Sequence, residues 1–131
     1  MTENDLLRRT KKFALAVMQL VSTLPNNAQG RAIGNQLIRS GTSVGANYRA
    51  ACKGRSRAGF IAKLGIVEEE ADESQYWIEL IIEGRLLPTA AVAAVHQEAR
   101  ELTAIMAASK KSAKVNASHL QIANRKSQIS G

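Results

Sequence analysis

The 131-residue chain has one cysteine, two prolines and five aromatic side chains, and each scarcity removes a class of protein. A lone Cys52 excludes an intramolecular disulfide framework. The longest apolar stretch, residues 78–87, is broken by Glu79, Glu83 and Arg85. It falls far short of the roughly 20 residues that a membrane helix needs. Residues 1–12 hold no basic-then-apolar leader, so a cytoplasmic protein with no membrane partner is expected. Period-two alternation of β-branched residues is hard to find, which removes strands and leaves an all-α chain. With 45% hydrophobic residues but only 4% aromatic ones, its core must be aliphatic and alanine-rich.

Catalytic signatures are missing as well. No phosphate-binding loop, nucleophile elbow or Gly-x-Gly-x-x-Gly is present, and Gly41 and Gly45 fall inside a helical pattern rather than after a strand. Glu69 and Glu73, like Glu68 and Asp72, stand one helical turn apart, as in carboxylate-bridged metal bundles. Those bundles require Glu-x-x-His, yet Ala93 stands three residues before His96, and His119 lies near the C-terminus. Cys52 between Ala51 and Lys53 has no neighbouring histidine to act as base, so it reads as packing rather than as a nucleophile. His96 and Arg100 read as an exposed helix pair. The expectation is no catalytic residue, no metal and no cofactor.

What is present is helical periodicity. Asp5 as cap and Phe13, Val17, Leu20 and Leu24 at four-three-four spacing predict a first helix over 5–24, stopped by Pro25 and the Asn26-Asn27 turn. A second runs over 29–53 through Ile33, Leu37, Ser40, Val44, Asn47 and Ala51. Gly41, Ser43 and Gly45 sit in its middle, where each glycine costs about 1 kcal/mol relative to alanine, so a close backbone approach or a bend must compensate. Ser56 caps a third helix that Gly84 ends, with the seam Phe60, Leu64, Val67, Ala71, Ser74, Ile78 and Ile81. The fourth follows Pro88 with Thr89 as cap and Val92, Val95, Ala99, Leu102 and Met106 on its seam. Short connections imply an antiparallel up-down-up-down four-helix bundle over residues 1–111. Residues 112–131, rich in Ser, Asn, Gln and Lys, read as a polar, mobile tail with at most a helical turn near Leu120.

Charge is segregated. Against a net +7, residues 1–55 carry nine cations and two acids, whereas residues 56–84 carry two cations and seven acids. At about 100° per residue, Arg31, Arg39, Arg49 and Lys53 fall within an arc of roughly 80° on the second helix, and Arg55 and Arg57 extend the stripe across the turn. Such a stripe suits the backbone of RNA or DNA. It is equally the pattern of a solvated face, or of a surface that meets the acidic third helix within the bundle or between subunits. Only Tyr48 is close enough to stack on an unpaired base, so base-specific readout is poorly supported.

Two further sets stand out. Ser40, Asn47 and Ser74 occupy seam positions and read as a small buried hydrogen-bonded layer rather than a ligand site. Ile66, Trp77 and Leu80 lie outside the seam of the third helix. Together with Leu15 on the first, they point either to a subunit interface or to a helix buried on two sides.

The runs QLIRSGTSVGANYRAA (36–51), RSRA (55–58), FIAKL (60–64) and EEADESQYWIEL (69–80) make a long composite motif. It resembles the four-helix-bundle proteins related to the protein encoded within intervening sequences of large-subunit ribosomal RNA, over about residues 6–110. The resemblance implies an antiparallel four-helix bundle and a ring-shaped homopentamer with a central channel. It carries over no catalytic residues. A related group serves as the accessory protein of diversity-generating retroelements, where a basic pentamer binds nucleic acid and a reverse transcriptase, and by analogy this supports the basic-stripe reading. The chain departs from the pattern at Gly59, where relatives have an acidic residue. That removes the capping box expected from Ser56 and weakens the start of the third helix.

Overall fold

The computed structural model describes residues 1–54 and 56–130, the side chains at 120, 121 and 124–130 excepted. Four helices follow in order: α1 (Glu3–Ser22), α2 (Ala28–Lys53), α3 (Arg57–Glu83) and α4 (Thr89–Ser130). α1 packs on α2, α2 on α3 and α3 on α4, and α4 closes the cycle more thinly on α1. The diagonal pairs make no close backbone approach among the described residues, and the architecture is the expected antiparallel bundle.

The helix ends follow local capping chemistry. α1 starts two residues earlier than expected because Thr2, not Asp5, is its cap. The Thr2 hydroxyl accepts from the Asp5 amide at 3.1 Å, and the Asp5 carboxylate accepts from the Thr2 amide at 2.8 Å. These bonds to Thr2, with help from Arg8, hold the Asp5 pKa below the usual carboxylate range. Asn27 caps α2 through the Gly30 amide at 2.8 Å. Ser56 caps α3 as expected, with a 3.0 Å bond from the Gly59 amide, and glycine at that position supplies no reciprocal bond. At the far end of α3, Gly84 does not supply the left-handed residue. That conformation falls on Arg85, with φ 55°. The Arg85 amide donates to the Ile82 carbonyl at 3.1 Å and the Leu86 amide to Ile81 at 2.9 Å, the paired bonds of a Schellman stop. Thr89 is the first residue of α4 rather than its cap.

The largest departure is α4. Its helix does not stop near residue 111 but runs on to Ser130, because residues 89–130 contain neither Gly nor Pro and are rich in Ala. Ala113, past the expected boundary, is still buried.

The seams read from the sequence form the core. Phe13, Val17, Leu37, Val44, Leu64, Val67, Ile78, Ile81, Val92, Leu102 and Met106 are all buried. The mid-helix glycines of α2 are explained by a close approach of α1. A Cβ on Gly41 would stand 2.9 Å from both methyls of Val17, and one on Gly34 would stand 3.0 Å from Val21. Gly45 passes beside the Thr10 carbonyl, and the buried Thr10 hydroxyl donates to its own helix at Leu6, 2.8 Å away. Ser40 and Ser74 form the expected polar layer across α2 and α3. Their hydroxyls lie 3.0 Å apart, and the Leu37 and Glu70 carbonyls take up the remaining capacity. Asn47 does not belong to that layer. It is half-buried and donates to the Ser43 carbonyl of its own helix at 2.9 Å.

Candidate nucleic-acid interface

Three of the four helix pairs are clasped by charge. Arg9 of α1 holds Glu98 of α4 through two 2.7 Å bonds, with Glu101 at 3.3 Å, and these acids keep its guanidinium pKa above the ordinary value. Arg39 of α2 reaches Glu70 of α3 at 3.4 Å and also pairs with Glu73. Burial pushes the Glu70 carboxyl pKa up, against the pull of Arg39. Lys110 of α4 holds Glu68 of α3 at 3.0 Å. Between α1 and α2, however, the described residues contain no ion pair.

What lies there instead is a groove of ≈ 510 Å³. Leu7, Ala14, Gly45, Ala46 and Cys52 line it, along with four cations: Arg8 and Lys11 from α1, Arg49 and Lys53 from α2. The glycine-mediated approach of the two helices sets these cations on one concave surface. Arg8 spends part of its charge on an exposed 2.7 Å pair with Asp5, a contact worth little in water. Lys11, Arg49 and Lys53 are exposed and pair with no acid among the described residues. Burial pushes the Cys52 thiol up to about 11, so at neutral pH it remains a protonated packing group. The neighbouring Tyr48 phenol is raised by the same cause.

The six cations of the expected stripe therefore separate. Arg49 and Lys53 share the groove. Arg57 is exposed at the adjoining end, in a depression with Glu3, Gly54 and Phe60. Arg39 is taken up by Glu70 and Glu73, and Arg31, at the opposite end of α2, donates to the Asn26 side chain at 3.1 Å. Arg55 lies outside the described residues. Sequence reasoning missed the α1 contribution. Arg8 and Lys11 are three residues apart on the outer side of α1, and the register that sets them beside Arg49 and Lys53 depends on Gly45 meeting Thr10.

The charge is also polarised along the bundle. Among the described side chains, residues 43–68 and 106–119, which flank the α2–α3 turn, carry seven cations and one acid, Glu68. Residues 69–101 carry eight acids and two cations. Of the three expected interface residues only Ile66 is exposed. Trp77 packs against the core and Leu80 is half-buried. The Trp77 ring meets Tyr76 edge-on with centroids 5.0 Å apart, and Tyr76, 52% exposed, is the larger apolar surface there. The Trp77 indole N–H is buried without a partner among the described residues.

His96 does pair with Arg100, as its spacing implies, but it is half-buried. Its Nδ1 accepts from the guanidinium at 3.0 Å, which places the ring proton on Nε2, buried without a partner among the described residues. Burial first, then Arg100, lower its pKa, with Glu79 of α3 opposing.

The described residues contain no cluster of three His, Cys, Asp or Glu side chains suited to a metal, and no helix long and apolar enough to cross a membrane. An antiparallel bundle with small-residue α1–α2 packing and charge clasps on the other three sides defines a helical-bundle domain. The model of the 23S rRNA-intervening sequence protein family matches residues 2–108, and the chain belongs to that family. A solved structure from Bacteroides thetaiotaomicron, described as a protein with unknown function from the S23 ribosomal protein family, is 32% identical, with a TM-score of 0.78. The match covers 85% of this chain and 99% of that one. No curated protein matches.

Proposed function

We propose that this protein is a non-enzymatic, self-associating bundle that binds the phosphate backbone of RNA or DNA through the α1–α2 groove and the adjoining end of the bundle. The observation that carries the reading is the groove itself: Arg8, Lys11, Arg49 and Lys53 line one concavity at the helix pair that has no interhelix ion pair among the described residues. Four cations gathered on one concavity, three of them without an acid partner among the described residues, favour a polyanion over simple solvation. The family name, with its reference to ribosomal RNA, agrees with this reading without defining it. Four phosphate contacts correspond to a log K against log salt slope of about −3.6 on duplex DNA, and losing two contacts removes about 1.8 of it. Fluorescence anisotropy with a structured RNA and a DNA duplex, from low to physiological salt, tests this on the parent and on an Arg49→Ala/Lys53→Ala variant. Binding that is absent, or that keeps its slope in the variant, refutes the groove.

Self-association rests on a second set of side chains. Ile66 and Tyr76 are exposed among the acids of α3, while Leu15, Met18 and Ile38 are exposed on α1 and α2. Apolar faces of opposite surrounding charge on one chain fit a head-to-tail contact, and such contacts close into rings. The five-membered ring implied by the family resemblance is one such closure. Light scattering on a Tyr76→Asp variant should then give a lower mass than on the parent, and an unchanged mass removes this face from the assembly.

A further inference from the structure

The aromatic that the sequence sets beside the basic stripe is out of a ligand's reach: Tyr48 is 3% exposed and belongs to the core. Phe60 is accessible instead. Its amide donates to the Ser56 carbonyl at 3.0 Å, which places it on the first, capped turn of α3, half-buried at the end of the bundle that holds the α2–α3 turn. Phe60 lines two depressions. One, of ≈ 300 Å³, lies towards α2 and shares Cys52 with the α1–α2 groove. The other, of ≈ 440 Å³, lies towards α4, and Arg57 lines both. The basic groove thus runs on, past Cys52 and Arg57, to an aromatic side chain.

The α4 wall of the larger depression is built mostly from small residues. Ile105, Ala108, Ser109, Ser112, Ala113 and Asn116 recur at three- and four-residue spacing and so share one face of the helix. The alanines and serines leave space that longer side chains would fill, while Phe60 and Ile105 supply an apolar floor. Ser112 and Asn116 are exposed at the rim and carry hydroxyl and amide groups that donate and accept hydrogen bonds. Ser109, Ser112, Ala113 and Asn116 lie past residue 108, where the family match ends, so the continuation of α4 completes the cavity. Arg57 is exposed and pairs with no acid among the described residues, and Glu3 is the one acid among them that lines the groove or either depression. An apolar floor with a neutral hydrogen-bonding rim, reached along a line of cations, has the composition that takes a base with its phosphate. An apolar side chain of a second copy would use the floor and leave Arg57 without a counter-charge.

We propose that the depression between Phe60 and α4 receives an unpaired base of a nucleic-acid strand whose phosphates lie along the α1–α2 groove, with Phe60 as the stacking surface and Arg57 at the linking phosphate. The inference rests on the groove reading and deepens it: the favoured ligand is a duplex with a single-stranded end rather than a blunt one. Stacking on an aromatic tolerates any base, so the preference is for an unpaired base and not for a sequence.

The test uses the full chain and three RNA ligands in fluorescence anisotropy at physiological salt: a blunt duplex, the same duplex with a short uridine overhang, and the same overhang made abasic. The abasic strand keeps the added phosphates and lacks only the bases. The parent should bind the uridine overhang at least about fivefold more tightly than the abasic one, the low end of what one base stacked on an aromatic contributes. Phe60→Leu keeps an apolar side chain and removes the aromatic face, and Ser112→Gln fills the depression from its exposed rim. Both variants should bind the blunt duplex as the parent does and lose the preference for bases, whereas Arg49→Ala/Lys53→Ala should weaken all three ligands and keep the ratio. If the parent binds none of the three, the groove reading and the base pocket fail together. If it binds the uridine and abasic overhangs equally, or if either pocket variant keeps the preference, the pocket is overturned while the groove stands. A lower mass by light scattering for Phe60→Leu with the preference unchanged assigns the depression to a second copy and also overturns it. Circular dichroism checks the fold of each variant, and Ser112→Gln, which leaves the core untouched, decides the matter if Phe60→Leu does not fold.

Discussion

Replacing Gly41 by alanine tests the packing on which the groove depends. In an open helix position the change is favourable by about 1 kcal/mol, because alanine loses less backbone entropy on folding. At Gly41 the new methyl would stand 2.9 Å from Val17 Cγ1 and Cγ2 and 3.2 Å from its Cβ, and Val17 is fully buried. Overfilling a packed core by one methyl costs about 1–3 kcal/mol, so the net change is a loss of about 0–2 kcal/mol. Gly65 provides the control: its Cβ would meet only Lys110 Cδ at 3.9 Å, and Gly65→Ala should stabilise by about 1 kcal/mol. The same substitution at two helical sites should thus differ by about 1–3 kcal/mol in urea denaturation at one protein concentration. In a Val17→Ala background the Gly41→Ala penalty should vanish, giving a coupling of similar size. If Gly41→Ala stabilises as much as Gly65→Ala, α1 does not approach α2 as described, and the concavity holding the four cations loses its basis.

Two other outcomes follow from the capping and the histidine. Arg85→Gly should raise stability by about 1 kcal/mol, or roughly 3–5 °C in Tm, because the left-handed conformation at φ 55° costs an L-residue that much and Arg85 makes no ion pair among the described residues. A decrease would mean that the Arg85 side chain stabilises the turn by more than its backbone costs. Burial holds the folded pKa of His96 below the ordinary imidazole value, so the unfolded chain binds more protons and stability falls as pH drops. Its contribution is complete above about pH 7 and is lost as pH falls through 6.5 and below. The facing groups pull in opposite senses, Arg100 against protonation and Glu79 for it. Thermal melts of the parent between pH 8 and 5 should show the loss, and a His96→Gln variant should flatten that part of the profile.

The bundle was legible because apolar residues recur at three and four along each helix, and that spacing needs no knowledge of the partner helix. Where the reading slipped, the cause was geometric. The four-three spacing that places Asn47 on the α2 seam follows a 3.5 repeat, while a straight α-helix drifts by about 20° per heptad. By that point the buried line has moved to Tyr48, and Asn47 sits at the helix edge. The continuation of α4 was hidden for a different reason. Residues 112–130 lack an amphipathic period, but they also lack helix breakers, and a helix already nucleated by packing propagates through such a segment. The basic stripe was visible in composition and helical angle. That Glu70 and Glu73 take Arg39, while Arg8 and Lys11 join Arg49 and Lys53, depends on the register between helices, which no single helix encodes.

The central claim, that the uncompensated cations of the groove meet a polyanion, is tested most directly by following backbone amide resonances of the full chain during titration with a 25-base-pair RNA duplex. The account predicts perturbations concentrated at residues 7–14 and 45–58, reversed by raising the salt, with α3 residues 69–83 unaffected. Perturbations confined to the acidic face of α3, or none at millimolar duplex, would contradict it.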